Sequence, residues 1–132
     1  MAPVSQAATP VPVLVVSILL AASCAAASFP WLTRAIGPGP NDDGWPVGFA
    51  GVTVMLRDQG AATSSVRRRR WGDLHHLIDP RTGLPSRSGL EEVSVVAATG
   101  CDAEVVAKTA LLLGPGLATA YCAAHAQAWW LS

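Results

Sequence analysis

The amino-acid sequence predicts an α+β fold, a mixed or antiparallel sheet with packed helices, preceded by an apolar N-terminal segment. Three patterns support this class. Apolar and polar residues alternate from Val47 to Leu56, the period of a half-buried strand. The run Glu92 to Ala98 is rich in β-branched residues, which is typical of a well-buried strand. Asp102 to Leu113 has the composition and the end signals of a helix.

The remaining elements follow in chain order. Asp58-Gln59-Gly60 predicts a hairpin turn, after which Ala61 to Val66 returns as the partner strand. Asp102 is expected to cap the helix, and Gly114-Pro115 to end it.

Two more elements are expected near the C-terminus. Leu117 to Gln127 is alanine-rich and predicts a second helix. Ala128 to Leu131 predicts a short edge strand.

Composition limits the possible classes of function. The chain has 132 residues, enough for one domain. Nine basic and nine acidic residues give no net charge, so bulk electrostatics indicate no nucleic-acid partner. Cys24, Cys101 and Cys122 are odd in number and widely spaced, and form neither a disulfide framework nor a metal-binding motif.

The first third of the chain is unusually apolar. No charged side chain precedes Arg34, and Val11 to Phe29 is a nearly unbroken apolar run of 19 residues, about the span of a bilayer core. It can be a signal peptide, a lipoprotein leader, a membrane anchor, a buried core segment, or the product of a truncated or frame-shifted reading frame. Because Gly37–Gly44 is a linker by composition, we place a leader at 1–36 and a domain at 37–132.

The stretch from His75 to Pro85 carries the most chemistry. It places two imidazoles, a carboxylate, a guanidinium and a hydroxyl around an Asp-Pro and a Thr-Gly pair, directly after four arginines at 67–70. Such a loop is either an ordinary tight turn with solvated histidines or a binding site. The arginines are either an anion-attracting patch or a solvated loop, since four in succession cannot share one face.

The segment His-Leu-Ile-Asp-Pro-Arg-Thr-Gly at 76–83 resembles the signature of the FAD:protein FMN transferases, the ApbE-type flavin transferases. Four other segments on either side of this signature match further landmarks of the family in the same order, and the resemblance extends from about Gly37 to Trp130. They are Trp45-Pro46-Val47-Gly48-Phe49, Ala62-Thr63-Ser64-Ser65, Val93-Ser94-Val95-Val96 and Leu111-Leu112-Leu113-Gly114.

The resemblance implies an activity and a set of site residues. Enzymes of this family split FAD at its pyrophosphate, pass FMN to a threonine of a target protein and release AMP. His76 would be the catalytic base that activates the threonine hydroxyl. The expected flavin-binding residues are His76, Asp79, Arg81, Thr82, Gly83 and Lys108. Asp79 is expected mainly to organise the turn by bonding backbone N–H groups, and His75 to be structural or solvated.

The expected metal site departs from the family pattern. The family helix reads Ala-Asp-Ala-Leu-[Ala/Ser]-Thr-Ala-Leu, and its Asp and Thr coordinate Mg²⁺. Here Glu104 stands at the Asp position, as the candidate metal ligand, and Lys108 at the Thr position. Residues four apart share a helix face, so an ion pair is expected, with Lys108 able to replace the charge of the cation. Thr109 is one residue out of register, about 100° away.

The resemblance therefore implies FAD:protein FMN transfer, with FAD as substrate and Mg²⁺ as cofactor. The alternative is a degenerate or truncated flavin-binding homologue without transferase activity, since the family's upstream Gly-Gly-Asp motif is absent. Expected partners are FAD and an acceptor protein, without nucleic acid. A genuine leader would make the protein membrane-associated or exported; otherwise it would be cytoplasmic.

Overall fold

A computed structural model describes residues 32–35, 37–39, 42–49 and 51–132. The apolar run at 11–29, whose role was left open above, lies outside the described residues. Among the residues that the structure describes, no helix has the length and apolar character needed to cross a membrane.

The described residues form ten strands and two helices. The strands are β1 (Leu32–Ala35), β2 (Trp45–Phe49), β3 (Val52–Leu56), β4 (Gln59–Ser65), β5 (Arg70–Trp71), β6 (Leu74–His75), β7 (Ile78–Asp79), β8 (Leu84–Pro85), β9 (Glu92–Ala97) and β10 (Ala128–Leu131). The helices are α1 (Gly100–Leu113) and α2 (Pro115–His125).

A four-stranded antiparallel sheet in the order β1-β4-β9-β10 forms the centre of the fold. Together with the two helices it confirms the predicted α+β class. The predicted strand at 92–98 is β9, and the predicted edge strand at 128–131 is β10. No strand was expected at β1, which precedes residue 37 and pairs with β4 from Leu32↔Ala62 to Ala35↔Gln59.

The structure corrects the strand pairing around β3. The segment 47–56, expected to be one strand, is a hairpin of β2 and β3, with Gly51 at a φ of 80° between them. Alternation continues on both sides of this turn, so periodicity alone did not reveal it. Asp58 also has a positive φ of 51°, but the chain leaves the hairpin there. The partners of β4 are therefore β1 and β9, and not β3.

Two apolar clusters pack on opposite faces of the central sheet. One contains Val93 and Val95 of β9 with Ala107 and Leu111 of α1, and it extends to α2. The other joins the hairpin to the sheet through four buried residues, Phe49, Leu56, Ala61 and Val96. The fold thus has three layers, with the hairpin and the helices on either side of the sheet.

Both helices are found, with revised ends. The N-cap of α1 is Thr99, whose hydroxyl accepts a hydrogen bond from the Asp102 N–H at 3.1 Å; the expected cap, Asp102, lies in the first turn. Asp102 accepts a bond from the Thr99 hydroxyl instead, at 2.7 Å. Gly114, with a φ of 79°, ends α1 as predicted, and α2 begins directly at Pro115, two residues before the predicted start.

Candidate functional site

The turn that follows β7 is organised by Asp79. Its carbonyl oxygen accepts hydrogen bonds from the N–H groups of Thr82 at 3.1 Å and Gly83 at 2.8 Å. Its carboxylate accepts another from the Arg81 N–H at 2.9 Å. Gly83 has a φ of 70°, which glycine adopts without strain. The expectation that Asp79 organises this turn by bonding backbone N–H groups is confirmed.

Arg81 fastens the turn to helix α1. Its Nη2 lies 2.7 Å from Asp79 Oδ2, and it also donates to the carbonyl oxygen of Leu112 at 3.0 Å. The hydrogen bonds from the Arg81 side chain hold the pKa of the Asp79 carboxyl below its ordinary value. Leu112 lies in the last turn of α1, whose carbonyl oxygens lack partners within the helix. The motif loop and the helix therefore form one hydrogen-bonded unit.

A cavity of about 570 Å³ opens beside this unit. It brings together His76 of the motif, Glu104 and Lys108 of α1, and the hairpin segment 47–49. The other predicted site residues, namely Asp79, Arg81, Thr82 and Gly83, do not line it. The motif thus contributes one side chain to the cavity, and the rest of the loop bonds within itself and to α1.

Hydroxyl groups from the ends of two neighbouring strands line the cavity. Thr63 Oγ1 lies 2.8 Å from Ser94 Oγ across the β4–β9 pair, and Ser64 and Ser65 are both buried. The sequence analysis used these residues as family landmarks only and missed them as part of a site. The available signal was a cluster of hydroxyl residues at the end of an otherwise apolar strand.

The four arginines at 67–70 divide into two pairs. Arg68 and Arg69 line the cavity. Arg67 pairs with Glu91, and Arg70 lies 3.7 Å from Asp73. This division confirms that four successive arginines do not share one face. Half of the cluster adds positive charge to the cavity.

His76 is a half-buried imidazole in an electropositive setting. Burial lowers its pKa below the ordinary value, and the charges of Arg69, His75 and Lys108 act in the same direction, against a hydrogen bond with the Arg68 backbone. Its Nδ1 is buried without a hydrogen-bond partner among the described residues. The ring is therefore mainly neutral at pH 7 and able to accept a proton.

Of the two alternatives for His75, structural or solvated, the structure favours the first. Its Nε2 lies 2.9 Å from the carbonyl oxygen of Ser86, and its Nδ1 accepts a bond from the Leu77 N–H at 3.3 Å. These contacts tie β6 to the segment after β8. The two adjacent histidines thus differ in their surroundings, since His75 bonds to backbone groups and His76 lines the cavity.

On α1, Lys108 donates to the Glu104 carboxylate, which confirms the predicted ion pair. The Glu104 side chain is 5% exposed and that of Lys108 is 21% exposed. Thr109 is buried one position further on; its hydroxyl has no partner among the described residues and does not line the cavity.

Comparison with known proteins identifies the family. A sequence model of the ApbE family matches residues 32–130, most of the chain. The chain belongs to the ApbE family. An ApbE-type relative, the FAD:protein FMN transferase of Treponema pallidum (strain Nichols), is 33% identical over 67 residues, which cover 48% of this chain and 18% of that protein.

Solved ApbE structures share the fold. The apo form of the Pseudomonas stutzeri flavinyl transferase ApbE has a TM-score of 0.60 at 24% identity, over 71% of this chain and 33% of that one. The Vibrio cholerae flavin transferase ApbE has a TM-score of 0.54 at 19% identity, over 73% and 37%. This ApbE-family chain therefore spans about a third of the length of these structures.

The Mg²⁺ that the ApbE family implies does not fit the residues at the expected position. The only carboxylate offered there by α1, that of Glu104, is bonded to Lys108. An ammonium group has no lone pair for a metal and repels a cation. Across the described residues, no three His, Cys, Asp or Glu side chains cluster in a way that could hold a metal ion.

Proposed function

We propose that the cavity is part of a flavin-transferase site, at which FMN passes from FAD to a threonine of an acceptor protein. The observation that carries this proposal is that His76 of the family motif lines the same cavity as Arg68, Arg69 and the strand hydroxyls. A neutral base and anion-binding groups are the parts that transfer from a pyrophosphate requires.

The reaction can be written with these groups. The threonine hydroxyl oxygen attacks the phosphorus of the FMN half of FAD, and a new P–O bond forms. The bond between that phosphorus and the bridging oxygen breaks, and AMP leaves with the electron pair. His76 accepts the hydroxyl proton, for which its lowered pKa keeps it neutral. Arg68 and Arg69 offset the negative charge of the two phosphates.

The remaining motif residues are assigned to positioning His76. Asp79 and Arg81 bond to each other and to α1. The N–H groups of Thr82 and Gly83 bond to the Asp79 carbonyl oxygen. We therefore infer that these four residues support the flavin site by fixing the loop, and that His76 alone of the motif reaches the ligand.

The test is transfer by the full chain. It is incubated with FAD and a threonine-containing acceptor protein; covalent flavin is detected by in-gel fluorescence, and AMP by chromatography. We expect His76→Asn to slow transfer by about 100-fold or more, with FAD binding nearly unchanged, because a general base contributes at least that factor. The matched control is His125→Asn, on α2 and outside the cavity, which should keep full activity.

A second candidate function is FAD binding without transfer. The Glu104–Lys108 pair favours it, because the pair occupies the position at which the family's metal ligands are expected. Under this alternative the chain binds FAD, but neither labelled acceptor nor AMP appears. A chain that binds no FAD at all would contradict both candidates.

A further inference from the structure

Lys108 occupies an unusual position for a lysine. It projects from the middle of α1 into the cavity wall, and only 21% of its side chain is exposed. Lysine is rarely buried to this extent without a paired charge, and here the partner is Glu104, one turn earlier on the same face. The pair fixes an ammonium group at a defined point of the cavity.

The cavity carries more cationic than anionic side chains. Arg68, Arg69 and Lys108 line it together with the carboxylates of Glu92 and Glu104. Of the three cations, Lys108 is the one on a regular element, since both arginines lie in the exposed loop after β4. Its position is therefore set by the packing of α1 against the sheet.

An ammonium group can act on a phosphate where a metal ion otherwise would. It carries three donor hydrogens, of which Glu104 accepts one bond, and a phosphate oxygen that enters the cavity can accept another. Unlike Mg²⁺, the ammonium group needs no shell of oxygen ligands. This matters here because the described residues contain no group of three His, Cys, Asp or Glu side chains that could hold a metal ion.

We propose that Lys108, held by Glu104, is the built-in cation of this cavity and binds the pyrophosphate of the ligand without a divalent metal ion. The inference rests on the proposed function for the identity of the ligand, FAD. It assigns Lys108 to ligand binding and Glu104 to positioning.

The experiment measures the Kd of the full chain for FAD by isothermal titration calorimetry, in EDTA and again in excess Mg²⁺. We expect the two values to agree within about twofold. Binding that requires Mg²⁺ would overturn the inference and leave the proposed function intact.

Variants test whether Lys108 is the reason. Lys108→Met should weaken binding by about 10-fold or more in both buffers, the loss expected for a charge-assisted hydrogen bond. Lys108→Met leaves the Glu104 carboxylate buried without its partner, which could perturb the fold by itself. The double variant Glu104→Gln/Lys108→Met removes both charges and keeps the shape of the pair, and it should show the same loss of FAD binding. Glu104→Gln alone should bind FAD at least as tightly in EDTA as the parent, because its amide oxygen can still accept from Lys108. Glu104→Ala, which leaves the ammonium unheld, should weaken binding, and unchanged binding in this variant would contradict the positioning role.

The matched control is Arg67→Met, which removes one positive charge outside the cavity. It should leave the Kd for FAD unchanged. An equal loss of affinity in this variant and in Lys108→Met would mean that only the net charge of the protein matters, and would overturn the inference.

If the chain binds no FAD in either buffer, the proposed function fails, and inorganic pyrophosphate becomes the probe. Pyrophosphate binding in EDTA that depends on Lys108 would still support the inference, and its absence would contradict it.

Discussion

At the scale of single residues, the proposed site centres on one imidazole and the charges around it. The pKa of His76 is lowered because burial and the positive charges of Arg69 and Lys108 disfavour its protonated form. Only one of these charges, Arg69, is both close in sequence and on an exposed loop. That residue therefore offers a way to change the pKa of His76 without disturbing the core.

We expect Arg69→Met to raise the pKa of His76, measured by an NMR pH titration of the imidazole resonances. Arg67→Met, whose charge is paired with Glu91, should leave that pKa unchanged. An unaltered His76 titration in the Arg69 variant would show that the loop points elsewhere in solution.

The same shift has a consequence for stability. Because folding lowers the pKa of His76, the unfolded chain binds more protons between the folded value and about 6.5. The contribution of His76 to the free energy of unfolding therefore rises with pH through this window and is level above it. His76→Asn should remove this part of the pH dependence, as followed by urea unfolding at several pH values.

Arg81 allows a second test at this scale. Arg81→Met removes the partner of the Asp79 carboxylate, whose side chain is only 11% exposed, and the bond to Leu112. We expect a loss of about 1–2 kcal/mol in the free energy of unfolding, a value kept small because Arg81 itself is half exposed to solvent. The control Arg87→Met, at an exposed position outside this network, should lie within about 0.5 kcal/mol of the parent. Equal stability of all three proteins in urea unfolding would mean that the turn holds without Arg81.

At the scale of elements, the sequence predicted those with strong local signals and missed the pairings that depend on distant contacts. The β-branched strand β9 and the helix ended by Gly114 were found from composition and end signals alone. The hairpin of β2 and β3 was missed because alternation is the same in one strand and in two. β1 was missed because its pairing with β4 joins residues far apart in the chain.

The composition of the cavity was predicted to the same degree. The family motif singled out His76, which lines the cavity, and helix spacing predicted the ion pair of Glu104 and Lys108. The hydroxyl groups of Thr63 and Ser94 could not be assigned, because they meet only through the register of β4 against β9. Local sequence thus predicts which side chains share a face of one element. Which elements meet at the cavity depends on strand pairing, which local sequence does not show.

The contact between β4 and α1 depends on one glycine. A Cβ atom at Gly60 would overlap the backbone of Thr99 and Gly100, where α1 begins. We expect Gly60→Ala to lower the free energy of unfolding by about 2–3 kcal/mol, since backbone cannot give way as a side chain does. Gly116→Ala is the matched control, because its Cβ meets open space in a helix, and it should stabilise the protein by about 0.5–1 kcal/mol. Thermal unfolding of both variants measures the difference, and a tolerated Gly60→Ala would contradict the close packing of β4 on α1.

At the scale of the whole molecule, the cavity is assembled from all three layers. The hairpin supplies 47–49, the sheet supplies the hydroxyl groups of β4 and β9, and the helix layer supplies Glu104 and Lys108. Phe49 stacks on Trp130 with 5.5 Å between ring centroids, which holds the hairpin against the edge strand β10. The chain spans about a third of the length of the solved ApbE structures.

The central claim is that FAD binds in this cavity, and an NMR titration of the isotope-labelled full chain with FAD tests it most directly. The account predicts that the largest shift changes fall on the backbone amides of Gly48, Ser64, His76 and Lys108, and that those of the exposed face of α2, such as Ala120 and Ala124, stay unchanged. Shift changes concentrated on α2, or none at saturating FAD, would contradict it.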